Sequence, residues 1–422
     1  MKPAIFNKFL LIVAICLLCS PLSSKGYSVL THEAIIDAIW EKTIQPLLMH
    51  KYPGATEEQL KDAHSYAYGG AIAPDMGYFP FGSHLFTNLV HYVRSGDFVN
   101  TLLDEAQDIN EYAFALGFLS HYMADKYGHF LGTNRCVPIV YPGMMKKFGN
   151  VVTYAEDKIS HKRIEFAFDV LQTAKGNYAS LAYHDFIGFN VSRSVLERAF
   201  RKTYGLDIND VFINLSLSIK AFRWSVMSLF PLLTKTAWVI KKDEILKFQP
   251  TATSRSFMYK MGRANYYQEQ GKKHKMPGFF ANALSWIIRV VPKTGPLKAL
   301  KIKAPGPEAE KLFIQSFDTV LVNCNFSMKI TNSGNINFAN IDFDTGNNTT
   351  PGEYRLADIN YGKLLLKLNK KKFNLLNAGL KLNIIEFYSD PDARIATENG
   401  GREWKKIIKA LERLKILQPT IL

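Results

Sequence analysis

Cysteine is scarce in this chain, because only four of its 422 residues are cysteine. Two of them, Cys16 and Cys19, lie in the first 26 residues. At most one bridge can then form in the remainder, between Cys136 and Cys324. A scaffold held together by disulfides is therefore excluded. The sequence leaves open whether the last two thiols are bridged or free.

Apolar runs of membrane-spanning length are also lacking. The run 9–18 follows two lysines and is too short to cross a bilayer comfortably. A basic start, a run of this length and small residues just before Tyr27 are typical of a secretory signal peptide. We therefore expect residues 1–26 to be removed and the mature protein to be secreted or periplasmic. A retained anchor is the alternative.

Strand-like alternation is scarce as well, and only 326–331 and 335–343 are candidates for strands. The stretch 332–352 is rich in Asn, Gly and Thr, which indicates a surface loop outside the second strand candidate. Elsewhere, apolar residues recur at the three- and four-residue intervals of amphipathic helices. The sequence therefore predicts a mainly α fold with many helices.

Charge and histidine are unevenly distributed. Up to His184 the chain has 15 Lys/Arg against 17 Asp/Glu, whereas the rest has 37 against 20. Nine of the ten histidines lie in the first, near-neutral part. The positive field of the second part suits an anionic surface or a nucleic acid. Its apolar stretches, 224–240 and 279–292, are interpreted as buried helices, with contact to a membrane surface as the alternative.

The strongest local pattern consists of His121, Asp125 and His129, which follow one another at intervals of four. Steps of four turn an α-helix by about 400°, so these side chains share one face. The preceding residues are apolar, which predicts that this face is buried. Buried polar groups need a partner, and a metal ion or a hydrogen-bonded ladder would serve, with a solvated face as the alternative. His161 and Glu165 repeat the spacing, with an exposed pair as the alternative.

Other ligand-type residues accompany this pattern. Asp75 lies in a Gly/Pro-rich loop and is followed by His84 and His91, while His32 lies shortly after Tyr27. The order of the whole set resembles the zinc-dependent phospholipase C family, whose helical fold is shared with the S1/P1 nucleases. The resemblance covers roughly residues 27–170 and implies three zinc ions held by Tyr27, His32, Asp75, His91, His121, Asp125, His129, His161 and Glu165.

The resemblance also implies how these residues are shared. Asp125 would bridge two ions, one of which would also have His32 and the amine and carbonyl of a terminal Tyr27. The next ion would have Asp75, His91 and His121, and the third would have His129, His161 and Glu165. His91 is preferred to His84 because its distance from Asp75 is nearer that of the family. The chain departs from the family in having Tyr27 in place of Trp and a short step from Asp125 to His129.

The function implied is that of a secreted zinc-dependent hydrolase of phosphodiester bonds, most like a phospholipase C. Zinc-bound hydroxide would attack phosphorus, with Asp75 as the candidate base. The substrate would be a phospholipid or another phosphodiester, met by peripheral contact with a membrane. An S1/P1-like single-strand nuclease acting on nucleic acid is the alternative, which the spacing from Tyr27 to His32 favours and Glu165 disfavours. A non-catalytic zinc-binding structural or binding protein is the third hypothesis. The head group and the oligomeric state are left open.

We expect three segments in the chain. Residues 1–26 form the signal peptide, and residues 27–250 form the helical phospholipase C-like domain. Residues 251–422 form a basic, mostly helical C-terminal region of unknown role.

Overall fold

A computed structural model of the chain describes residues 27–175, 177–178, 187–230, 242–244, 246–247, 302–331 and 337–419. The expected signal peptide, the stretch 279–292 and most of the stretch 224–240 lie outside the described residues.

Helices make up most of the described chain, and no strand is found in this part, so the predicted mainly α fold is confirmed. The α-helices are α1 Val29–Ile39, α2 Gln45–Lys51, α3 Glu57–Ile72, α4 His84–Tyr92, α5 Ser95–Glu105, α6 Ile109–Gly128, α7 Asn134–Val140, α8 Pro142–Phe148, α9 Lys158–Ala174, α10 Arg193–Tyr204, α11 Leu215–Trp224, α12 Pro307–Thr331, α13 Arg355–Lys370, α14 Ala378–Phe387 and α15 Gly401–Ile416. Short 3₁₀ turns lie at Ala73–Tyr78 and Ile208–Asp210, and π-helical turns at Trp40–Ile44, His129–Thr133 and Ser225–Leu229.

Helix α6 lies at the centre of this assembly. Its N-terminus is capped by Asp108, whose carboxylate accepts hydrogen bonds from the N–H groups of Asn110 (2.9 Å) and Glu111 (2.8 Å). Helix α3 packs along α6, and at Gly117 an added β-carbon would stand 2.1 Å from the carbonyl oxygen of Ala67. No side chain fits there. Glycine therefore allows the close approach of the two helices. Helix α6 carries His121 and Asp125, and α3 ends just before Asp75.

The C-terminal helices join the same core as the N-terminal ones. Helix α12 packs against α6 and the π-helical turn His129–Thr133, and α13 packs against α4. Buried apolar residues of 27–230 and of 309–414 form one continuous cluster. The predicted boundary between residues 250 and 251 lies outside the described residues, so it stays a prediction.

The strand candidate 326–331 is wrong, because these residues form the end of α12. Its alternation belongs to a longer helical period in which Val320, Cys324 and Met328 are all buried. The described part of the second candidate, residues 337–343, forms no strand, and Ile341 makes only an isolated bridge to Asn348.

Cys136 and Cys324 are both buried and unbridged. The thiol of Cys136 donates to the carbonyl oxygen of Ala309 (3.2 Å) instead. Among the described residues, no helix combines the length and hydropathy needed to cross a bilayer.

Candidate metal centre

Helix α6 carries His121 and Asp125 into the core, and both side chains are fully buried. His121 Nε2 lies 3.1 Å from Asp125 Oδ2, as the predicted spacing of one helical turn requires. The α-helix ends at Gly128, and His129 begins the π-helical turn. His129 is buried as predicted, but it contributes to a different group of ligand-type atoms from His121 and Asp125.

The first group consists of His32, His121 and Asp125, whose ligand-type atoms lie within 4.8 Å of one another. His32 projects from α1, and its Nε2 lies 3.6 Å from Asp125 Oδ1. The rings of His32 and His121 are stacked, with centroids 4.2 Å apart.

The second group consists of Asp75, His91 and His121. His91 Nε2 lies 3.4 Å from Asp75 Oδ1 and 3.6 Å from Asp125 Oδ2. The Nδ1 atoms of both histidines donate to backbone carbonyls, His91 to Thr87 and His121 to Ala71, each at 2.8 Å. These bonds fix the rings so that Nε2 faces the carboxylates. His84, the alternative to His91, is exposed at the start of α4 and outside the group.

The third group consists of His129, His161 and Glu165. The rings of His129 and His161 are stacked with centroids 5.5 Å apart. On α9, His161 Nδ1 lies 3.3 Å from Glu165 Oε1, while Nε2 donates to the carbonyl oxygen of Val152 (2.6 Å). All three side chains are buried, so the alternative of an exposed His–Glu pair is wrong.

Burial disfavours the charged form of three of these imidazoles, whereas the hydrogen bond and charge of Glu165 outweigh burial and raise the pKa of His161. Burial lowers the pKa of His32 and His121 and lowers that of His129 to about 3. It also raises the pKa of Glu165 to about 8. Among the described residues, His121 Nε2 and Glu165 Oε2 have no hydrogen-bond partner, although both atoms are buried. Burying a polar atom without a partner costs free energy, which a bound metal ion would offset. Neutral imidazole and carboxylate are also the ligands that zinc prefers, so these residues fit a zinc ion.

Tyr27 lies beside the first group and is buried. Its ring packs against Phe313, and its hydroxyl forms a hydrogen bond with Ser316, both on α12. The ring occupies the space above Gly128, where an added β-carbon would stand 2.7 Å from Tyr27 Cζ. The aromatic ring at this position therefore anchors the start of the described chain close to His32.

Asp169 also positions the start of α1. The predictions from sequence did not include this residue. Its buried carboxylate accepts hydrogen bonds from the N–H groups of Leu30 (3.0 Å) and Thr31 (3.1 Å), at the N-terminus of α1. It thereby ties α9 to the helix that carries His32. The signal was available, because Asp169 continues the four-residue spacing of His161 and Glu165.

The prediction of a surface loop next to the second strand candidate is wrong at Asp344, which is buried together with residues 341–343. Phe343 donates its backbone N–H to the carbonyl oxygen of His91 (3.1 Å). Its ring lies 4.9 Å from that of His91 and 5.9 Å from that of His121. A polar composition predicts exposure, but here long-range contacts with the core decide the position, and no local pattern reveals them.

Three buried groups of histidines and carboxylates could each hold a metal ion, and the first two are joined through His121 and Asp125. Residues 31–214 match the model of the family described as zinc dependent phospholipase C. The match supports the zinc-dependent phospholipase C family for this part of the chain. No match was found among curated proteins or among solved structures.

Proposed function

We propose that the protein is a secreted phospholipase C-like phosphoester hydrolase that uses three zinc ions. One observation supports this proposal above the others. The carboxylate of Asp125 lies within 3.6 Å of the Nε2 atoms of three histidines from three different helices: His32, His91 and His121. A central carboxylate surrounded by imidazoles suits a bridge between two divalent cations.

When bound, zinc ions would supply Lewis acidity and lower the pKa of water towards neutrality. His32 and Asp125 would hold the first ion together with the backbone of Tyr27, once residues 1–26 are removed. Asp75, His91 and His121 would hold the second ion, and His129, His161 and Glu165 the third.

Asp75 is the candidate base for the attacking water. It lies on the 3₁₀ turn Ala73–Tyr78, which Thr87 fixes by accepting from the N–H of Gly77 (2.8 Å) and donating to the carbonyl of Pro74 (2.7 Å). A rigid turn keeps the carboxylate in place to take a proton. In the hydrolysis, a bond forms between the water oxygen and phosphorus, and the bond from phosphorus to the glycerol oxygen breaks.

The substrate class follows from the family, and a phospholipid is our choice. The third group ends in Glu165, which is typical of the phospholipase branch, and this favours a phospholipid over a single-stranded nucleic acid. Contact with a membrane surface would involve the stretch that begins at Trp224, whose side chain is 45% exposed.

Two assays on the zinc-loaded mature protein test the proposal, with phosphatidylcholine vesicles and single-stranded DNA as substrates. We expect release of diacylglycerol and of a phosphorylated head group, with no cleavage of DNA. Cleavage of DNA alone would favour the nuclease. Activity on neither substrate, with zinc bound, would favour an untested phosphoester, and a protein that binds no zinc would contradict the proposal.

A further inference from the structure

Helix α8 lies on the surface of the protein, and none of its seven residues is buried. Met144 and Phe148, one turn apart, are partly buried and pack against the core. This attachment leaves Met145, Lys146 and Lys147 exposed. The helix therefore presents one apolar and two basic side chains to its surroundings.

The chain turns back after α8 and returns to the candidate metal centre. Gly149 makes the turn with a φ of 91°, a conformation that favours glycine. The N–H of Val152 then donates to the carbonyl oxygen of Asn134 (2.9 Å), and the carbonyl oxygen of Val152 accepts from His161 Nε2 (2.6 Å). Because His161 belongs to the third ligand group, only a few residues of chain separate α8 from that group.

Three apolar side chains along this part of the chain are exposed: Phe130 (48%), Met145 (42%) and Val151 (46%). Phe130 directly follows the predicted ligand His129, and the guanidinium of Arg135 lies 5.5 Å from the centroid of the Phe130 ring. Single exposed apolar residues are common on protein surfaces. Here three of them accompany one ligand group and lie close to cations, so a common role is worth testing.

Charge in this part of the chain has one sign. Residues 126–155 contain four Lys/Arg and no Asp/Glu. Arg135, Lys146 and Lys147 are exposed, and none of them forms an ion pair with the described residues. Unpaired cations next to exposed apolar side chains suit an anionic membrane, because the apolar groups enter the interfacial region while the cations meet lipid phosphates.

A nucleic acid would satisfy only half of this surface. It would pair with the cations, but the aliphatic side chains of Met145 and Val151 would gain nothing from its phosphates. The combination of charge and apolar exposure therefore favours a lipid surface.

We propose that this part of the protein is a docking surface for phospholipid membranes that contain anionic lipids. The surface, called the α8 surface below, consists of Phe130, Arg135, Met145, Lys146, Lys147 and Val151. Docking there would bring lipid head groups beside the third ligand group. The inference rests on the proposed function for its choice of a lipid as the partner, and it adds a second contact to the one proposed at Trp224.

Vesicle flotation with the zinc-loaded mature protein tests this inference. The probes are vesicles of phosphatidylcholine alone and vesicles of phosphatidylcholine mixed with phosphatidylglycerol. The phosphorylated head group released is measured in the same samples. We expect the wild type to bind the anionic vesicles more tightly than the neutral ones, and this binding to weaken as ionic strength is raised.

The charged part of the α8 surface is tested by Lys146→Gln with Lys147→Gln. This double variant should lose affinity for anionic vesicles by about 10-fold or more, because each lysine near such a membrane contributes to binding. The matched control is Lys405→Gln with Lys406→Gln, which removes the same charge from two adjacent exposed lysines of α15 and should bind as the wild type does. Both variants should hold as many zinc ions as the wild type, which shows that they are folded.

The apolar part is tested by Met145→Ser. This variant should bind both kinds of vesicle more weakly, while the dependence of binding on ionic strength stays as in the wild type. Leu382→Ser, at an exposed apolar position of α14, is the control and should leave binding unchanged.

The outcomes separate this inference from the proposed function. Equal vesicle affinity of the two double lysine variants would overturn the inference, and intact release of head group would then leave the proposed function standing. The inference would also be wrong if Lys146 and Lys147 affect the binding of single-stranded DNA but not of vesicles. Vesicle binding that depends on Lys146 and Lys147, without any release of head group, would support the α8 surface and overturn the proposed function.

Discussion

Residues 31–214 and residues 302–419 contribute different groups to the candidate metal centre. All the side chains in the three ligand groups come from the first region. The second region provides Ser316 against Tyr27 and Phe343 against His91. Ligand residues repeat at helical spacing and are visible in a sequence, whereas the residues that hold them come from distant positions without a pattern. The predictions below test this division of roles.

The largest effect is expected from Asp125→Ala, because its carboxylate is shared by His32, His91 and His121. The variant should lose two zinc ions and lose activity on phosphatidylcholine vesicles by roughly 10²-fold or more. Bound zinc and initial rates are the measurements. Asp104→Ala, an exposed substitution on α5, is the control and should behave as the wild type. Full metal content in Asp125→Ala would show that the assignment of the bridge is wrong.

The next largest effect distinguishes two histidines of the same helix. His91→Ala should remove one ion and most of the activity, since His91 Nε2 faces both Asp75 and Asp125. His84→Ala should keep both properties and change the free energy of unfolding by no more than about 0.5 kcal/mol, because His84 is exposed. Zinc counts and thermal unfolding of the two variants check this. The reverse outcome would assign the ligand role to His84.

These two predictions also show how much the sequence could provide. The four-residue steps of His121–Asp125 and His161–Glu165 needed only helical geometry, and the structure brings each pair together. The choice of His91 over His84 needed the resemblance to the family. Residue spacing cannot predict the π-helical turn that begins at His129, because tertiary packing determines it.

The C-terminal contribution could not be predicted for a similar reason. Asp344 lies in a segment with the composition of a surface loop, and its partners Tyr92 and Asn134 are more than 200 residues away in the chain. Asp169 is different, because its position on the face of α9 that carries His161 and Glu165 could have revealed its role.

A smaller effect is expected where the two regions meet around Tyr27. In Gly128→Ala the new β-carbon would collide with the Tyr27 ring, which also packs against Phe313. We expect a loss of about 1–3 kcal/mol in the free energy of unfolding and weaker binding of the first zinc ion. Chemical denaturation and chelator competition measure these. Gly143→Ala is the control, since nothing lies within 4 Å of its added β-carbon. Equal stability and equal zinc affinity of the two variants would contradict the packing of the Tyr27 ring on Gly128.

The smallest effect concerns the pH dependence of stability in the C-terminal region. Burial raises the pKa of Asp342 from 3.8 to about 7. The folded state therefore holds this proton more tightly than the unfolded state, and the resulting stability, present below pH 4, is lost as pH rises to about 7. Relative to Asp342→Asn, the metal-free wild type should lose at most about 1.4 kcal/mol per pH unit across this window.

Denaturant unfolding at several pH values measures that difference. Asp392→Asn, at an exposed position, is the control and should run parallel to the wild type. If the difference in free energy of unfolding between the wild type and Asp342→Asn stays the same from pH 4 to pH 7, the pKa of Asp342 is not raised.

A zinc count on purified protein whose N-terminus has been sequenced tests the central proposal most directly. The account predicts a chain that begins at Tyr27 and holds three zinc ions, since cleavage at that point frees the amine for the first group. A chain that begins at Tyr27 and holds no zinc, or one that keeps residues 1–26 and still holds three ions, would contradict it.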